Sequence, residues 1–353
     1  MPASGHADVL VPDGFTVRMV ARSGHYPAGN RTYRWHAAPD GGATVATDDG
    51  GWIYVSNSEL STGRGGTGAL RFSPHGDVVD AYSILHGTSR NCAGAMMPWG
   101  SYLSCEEHDR GRIWECDPFG AKPARVRPAL GVFSHEDVAL DPASQQLYLT
   151  EDKPDGRLYR FTPSRLTQRG DADLEDGRLE VARRMQHDGR EVLDWLPLPD
   201  VGARHRPTRL QVADSSPFNG AEGIACVDGA VYFVTKGDDR VWRYSMTDQA
   251  LDIFYDAGRY AAPLLTGVDN LAVAGDGTVY VAEDGGNMQI IRLDRKGNPQ
   301  VVVQLLDQDN SEMTGIAFSP DFTRLYFSSQ RGKSGHGGDG MTYEVSGPFQ
   351  EIR

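Results

Sequence analysis

The 353-residue chain carries 48 acidic and 35 basic side chains, a formal net charge of −13, and is 39% hydrophobic and 24% charged. It has enough apolar material for a substantial core, and its surplus of carboxylates repels nucleic acid and anionic membrane while attracting cations. No stretch approaches the ~20 apolar residues of a membrane-spanning helix, while 42 glycines, 20 prolines and a scarcity of amphipathic helical runs favour short strands joined by tight turns.

The first segment, MPASGHADVLVPDGF, has no basic stretch leading into an apolar one and no twin arginine. As given, the chain reads as cytoplasmic, although a removed export signal would leave the same trace. FTVRMVAR (15–22) follows as a strand. WIYVSNSE (52–59) then opens a pattern that recurs as SYLSCEE (101–107), QLYLTED (146–152), AVYFVTK (230–236), TVYVAED (278–284) and RLYFSSQ (324–330). The tyrosines Tyr54, Tyr102, Tyr148, Tyr232, Tyr280 and Tyr326 are spaced by 48, 46, 84, 48 and 46 residues. A near-constant period is thus broken once.

Each copy is followed by a second β-rich run and preceded by another, such as EDVALD, EGIACVDG, DNLAVAGDG and TGIAFSPD. Three strands and a less regular fourth at this period predict an all-β, six-bladed β-propeller that makes one domain over 1–353. The chain ends at the third strand of the last repeat, so strand 15–22 is expected to supply the missing outer one and close the ring. Residues 164–215 account for the long interval. They are expected to be a solvated insertion that holds the displaced outer strand of blade three and an excursion over one face.

In a propeller the innermost strand of each blade starts at the face to which the turn between the second and third strands returns. Innermost strands begin at Cys92, Glu136, Glu222, Asp269 and Glu312; the turns carry Asn57 and Glu59, Glu106 and Glu107, Glu151 and Asp152, Lys236 and Asp238, Glu283 and Asp284, Gln330 and Arg331. Both sets converge on one mouth of the axial channel. Single acids such as Asp152 or Asp284 read as turn caps. Glu136, Glu222, Asp269 and Glu312, at one equivalent place in four repeats, read instead as a ring whose repulsion bound cations relieve. Carboxylates suit Ca²⁺, Mg²⁺, Mn²⁺ or ferric iron and a thiolate prefers a transition metal, so Cys92 points to iron or zinc beside calcium. Cys116 and Cys226 read as core thiols. Four cysteines are too few for a disulfide scaffold, with a Cys92–Cys105 bridge the alternative to free thiols. His108 and His135 read as solvent-facing or core histidines, with proton handling the alternative.

Taken together, YVSNSE, RNCAGAMMPWGSYLSCEE, FSHEDVALD, LYLTED, AEGIAC, VDNLAV, VYVAED and EMTGIAFSPDFTRLYFSSQ fall in the order of the PhoX family of alkaline phosphatases, which the chain resembles over nearly its whole length. The resemblance implies an Fe³⁺ and Ca²⁺ cluster with Cys92 as iron thiolate, Glu136, Glu222, Asp269 and Glu312 as carboxylate ligands, Glu107 as a calcium ligand and Asn57 as a substrate-side asparagine. It further implies hydrolysis of phosphate monoesters, with an oxygen species held by the metals attacking phosphorus. Two positions depart from the family. Gly220 stands where a phosphate-holding arginine is usual, and the stretch between NSE and NCAG contains no lysine. Arg90, Lys236 and Arg331 are the local replacements, with ordinary surface roles as the alternative. The departures leave open the same cluster acting on a non-phosphate substrate or in iron redox chemistry. A small-molecule substrate and a monomer are expected.

Overall fold

Each repeat tyrosine lies on the second strand of an antiparallel sheet, and the computed structural model, which describes residues 8–351, arranges six such sheets as blades. Blade 1 comprises Pro39–Ala46, Trp52–Ser58, Gly65–Phe72 and Val78–Thr88; blade 2 comprises Asn91–Met96, Tyr102–Glu106, Ile113–Cys116 and Arg125–Val126. Blade 3 begins with His135–Leu140, Leu147–Glu151, Leu158–Pro163 and Gly177–His187; blade 4 holds Ala221–Val227, Ala230–Thr235, Arg240–Ser245 and Leu251–Asp256. Blade 5 holds Val268–Val273, Val279–Glu283, Gln289–Leu293 and Pro299–Leu305; blade 6 holds Met313–Phe318, Arg324–Ser329 and Met341–Ser346. The innermost strands of successive blades touch in a closed cycle.

Closure is made by Thr16–Arg22, which pairs antiparallel with Met341–Ser346 as the outer strand of blade 6. The latch is electrostatic as well as apolar. Arg18 donates to both oxygens of buried Glu344, which also accepts from Tyr326 Oη and Arg324 Nη1 at 2.7 Å. Burial works against the Glu344 charge, yet these donors hold it below the ordinary carboxylate range. One strand was not foreseen: Val9–Leu10 pairs with Leu305 and Gln304 as a fifth strand of blade 5. Of the first segment, read above for an export signal, residues 1–7 lie outside the described residues.

The core is divided among the blade interfaces. Among the described residues six apolar clusters are formed, one between each pair of neighbouring blades around the ring. The repeat tyrosines explain the pattern. All six are buried, and Tyr54 and Tyr102 reach across to the preceding blade, their hydroxyls donating to Gly315 O at 3.2 Å and Gly41 O at 3.4 Å. Such a side chain offers a large apolar body with one polar tip, which suits a position between two sheets.

Within the insertion, Gly177–His187 is the displaced outer strand of blade 3, and Arg190–Pro197 adds a fifth. The chain then runs without strands over the mouth side, pinned where Arg110 Nη1 donates to Ala203 O (2.7 Å) and Thr208 Oγ1 to Val132 O (2.6 Å). All four cysteines are free, so the Cys92–Cys105 bridge does not form. Among the described residues no helix is long and apolar enough to cross a membrane.

Candidate metal centre

A β-bulge builds the site. In all six blades the innermost strand slips by one residue against the second strand near the mouth, after Pro39, Asn91, His135, Ala221, Val268 and Thr314. The extra residue turns a side chain out of the pleat toward the axis. The first bulged residue is Asp40, Cys92, Glu136, Glu222 and Asp269 in blades 1 to 5. Blade 6 has Gly315 there, so Glu312 is not equivalent to the others as expected: it enters from just before its strand. Asp40 completes the ring and was missed, because PDGGATVA lacks the apolar run that marks the other inner strands. The inner strands approach so closely that a Cβ on Gly41 would lie 2.4 Å from Ala93 Cα.

A second ring sits outside the first. Its members follow the second-strand residue paired at the mouth: Glu59, Glu107, Asp152, Lys236, Asp284 and Gln330. The rings interlock. Asp40, Glu59 and Glu312 form one triad with oxygens within 4.8 Å of one another; Glu136, Glu222 and Asp269 form a second; Asp269, Asp284 and Glu312 form a third. Cys92 Sγ lies 3.2 Å from Glu136 Oε1 and 3.7 Å from Asp40 Oδ2. Gln330 Nε2 bridges Asp40 Oδ2 (2.7 Å) and Glu59 Oε2 (3.0 Å).

Such crowding is costly without positive charge. Burial first, and neighbouring carboxylates second, push Asp40, Glu136 and Cys92 well above their ordinary ranges. Burial also dominates the rise of Glu222 and Glu312. Asp269 is raised to about 6 by burial despite Lys236, and Glu107 to about 7 by burial, Asp152 and Glu59. Hard oxygens in overlapping triads, beside one soft sulfur, are a donor set that fits hard cations together with a transition metal.

Lys236 and Arg331 are at the site. Lys236 Nζ stands 3.0 Å from Glu222 Oε1, 3.5 Å from Asp269 Oδ2 and 3.1 Å from Asp284 Oδ2. Arg331 Nη2 is 3.0 Å from Glu312 Oε2 and 3.4 Å from Asp284 Oδ1. Although burial works against it, Asp284 is held below the ordinary range chiefly by Lys236, unlike the acids around it. Arg90 is an exposed rim residue; its charge favours the ionised forms of Glu59 and Glu107. Glu107 accepts from Ser134 Oγ at 3.1 Å and belongs to none of the three triads.

Asn57 does not face the cluster, contrary to expectation. Its Nδ2 donates to Cys92 O (3.1 Å) and Ala93 O (2.8 Å), and its Oδ1 accepts from Thr67 Oγ1 (2.7 Å) and Ser104 Oγ (2.8 Å). Every donor and acceptor is used, so Asn57 holds the Cys92 bulge in place and offers nothing to a substrate. Asn57→Ala leaves buried partners unsatisfied and is expected to cost about 2–4 kcal/mol, read by denaturant unfolding. His135 is also structural: it is buried against Phe133, and burial pushes its pKa down to about 3.

The family description "Alkaline phosphatase PhoX" matches residues 29–332. Among solved structures, the chain is similar to Pseudomonas fluorescens PhoX in complex with vanadate, a transition state analogue, with a TM-score of 0.78 and 16% identity over 98% of this chain and 97% of that one. It is similar at lower level to streptogramin B lyase, with a TM-score of 0.52 and 14% identity over 95% and 98% of the two chains. No curated protein sequence matches significantly. A family match spanning the bulge of every blade makes this chain a member of the PhoX alkaline phosphatase family.

Proposed function

We propose that the chain hydrolyses phosphate monoesters at an Fe³⁺ and Ca²⁺ cluster held in the channel mouth. The observation that carries this reading is the convergence of Cys92 with three overlapping carboxylate triads in a member of a phosphatase family. Cys92, with Asp40 and Glu136 beside it, would hold iron, and the carboxylates of the Asp40–Glu59–Glu312 and Glu136–Glu222–Asp269 triads would hold the harder ions. Bound ions supply charge neutralisation for the phosphoryl oxygens and a nucleophile at mild pH.

The chain's own residues do the rest. Lys236 and Arg331, each about one third exposed, carry N–H donors on the open side of the cluster, where a phosphate dianion arrives. They stand in for the charge that Gly220 cannot provide. Arg90, exposed at the rim, adds attraction for the approaching anion. Water provides the oxygen that replaces the ester oxygen on phosphorus; the P–O ester bond breaks and the alcohol leaves with the proton.

The test is phosphate release from an aryl phosphate by metal-loaded protein, abolished by chelation and restored by iron with calcium. A second reading, the same cluster acting on a non-phosphate substrate or in iron redox chemistry, draws on Gly220 and the missing lysine. It is favoured only if a broad phosphoester panel stays inert while iron and calcium are bound and visible absorption changes with another substrate.

A further inference from the structure

The outer ring contains a reversal of charge. Four of its six positions hold carboxylates, Glu59, Glu107, Asp152 and Asp284, and blade 6 holds neutral Gln330; blade 4 alone has a cation, Lys236. Its side chain is one third exposed, yet its ammonium is held by carboxylates. It sits among three carboxylate oxygens at 3.0, 3.1 and 3.5 Å, two of them from the buried inner ring. Arg331 enters from blade 6 on the other side of Asp284, whose two oxygens are thus divided between Lys236 and Arg331.

Backbone geometry keeps Lys236 there. Its N–H donates to Gly220 O at 2.8 Å, and Gly237 N donates to Asn219 O at 3.0 Å, so the 236–238 turn is bound to the segment leading into the Glu222 bulge. Gly220 has φ +62° and no side chain, and a Cβ there would stand 3.7 Å from Lys236 Cβ.

We propose that Lys236, assisted by Arg331, is a resident cation that takes the place of a metal ion at the Asp269–Asp284–Glu312 triad. The chain therefore binds one ion fewer than its carboxylate framework could accept, and the open side of the cluster is made of protein charge. The inference rests on the reading of this mouth as a metal cluster. It does not depend on which ester is hydrolysed. Electrostatically the exchange is economical: the ammonium and guanidinium neutralise two charges at a triad where a divalent ion would neutralise two. Chemically it is not equivalent, because neither group is a Lewis acid.

The test is the ion count per chain of purified, fully loaded protein by elemental analysis, for wild type, Lys236→Arg, Lys236→Met and Lys236→Glu. Lys236→Arg is expected to match wild type. Lys236→Glu, which places there the kind of side chain found in four other blades, is expected to gain one calcium per chain, and Lys236→Met to take up the same ion more weakly. An unchanged or lower calcium count in folded Lys236→Glu and Lys236→Met overturns the proposal. If these variants fail to fold, wild type decides it: raising calcium a hundredfold should add no ion, and uptake of a further ion with a rise in melting temperature overturns it. Loss of phosphatase activity against every ester tested would defeat the hydrolytic reading and leave the ion count standing.

Discussion

Cys92→Ala is expected to lower kcat/KM for an aryl phosphate by about 10³-fold or more and to strip iron from the purified protein, while the propeller stays folded. The thiol is the one soft donor at the mouth, placed by the blade 2 bulge 3.2 Å from Glu136 and 3.7 Å from Asp40. Burial pushes its pKa well above the ordinary thiol range, and Asp40 and Glu136 add to the rise. A thiolate there without a cation would face two carboxylates at short range. Only a bound metal makes ionisation favourable, so loading must expel the thiol proton. Proton release on iron binding, measured in weakly buffered solution, should be present in wild type and reduced in the variant. A 10³-fold loss corresponds to about 4 kcal/mol of transition-state stabilisation. The fold survives because Cys92 is half-buried and lies outside the six apolar clusters. Cys116→Ala and Cys226→Ala are the controls and should retain iron. Full iron content and full activity in Cys92→Ala would remove the thiol from the chemistry.

Much of this architecture was legible because propeller blades repeat a physical requirement. Each second strand needs a large side chain with a polar tip between two sheets, and a tyrosine at a 46–48 residue period satisfies it. Closure by 15–22 was legible for the same reason: an unpaired third strand leaves an edge that something must cover. Asp40 was hidden because its strand begins PDGG, where Gly41 is demanded by the approach of blade 2 and Gly42 by Val55 and Tyr54 of the next strand, and no apolar alternation survives. Glu312 was read as equivalent to the other acids because sequence spacing does not show on which residue a bulge falls. Asn57 was assigned to the substrate by resemblance, whereas its direction depends on Thr67 and Ser104, which no spacing rule joins to it. Val9–Leu10 is too short to leave a pattern.

Metal-free protein is expected to become more stable on acidification from pH 8 to pH 5.5, and metal-loaded protein is expected to lose most of that dependence. Asp269 is raised to about 6 and Glu107 to about 7, burial being the first cause in both, and burial likewise raises Asp40, Glu136, Glu222 and Glu312 well above the ordinary carboxylate range. An acid whose pKa is higher in the folded state holds more protons folded than unfolded. Stability therefore falls as pH rises from the unfolded carboxylate range, near 4, through the folded values. The effect of each pH unit of separation is about 1.4 kcal/mol for a fully buried group, and less for partly exposed Glu107. Groups of the opposite kind set the lower limit. Glu344, held down by Arg18 and Arg324, contributes stability that is lost as pH drops below the ordinary carboxylate range. The metal-free optimum should therefore lie where these regimes meet, near the unfolded carboxylate range at about pH 4 to 5. Bound cations favour the ionised carboxylates and remove the reason for their protonation, so the loaded protein should melt higher and with a flatter profile. Calorimetry of both forms across pH 5 to 8 measures this directly. A metal-free protein whose melting temperature rises steadily toward pH 8 would mean that these side chains do not repel one another, and a cluster of mutually repelling acids is what the cations are needed to hold together.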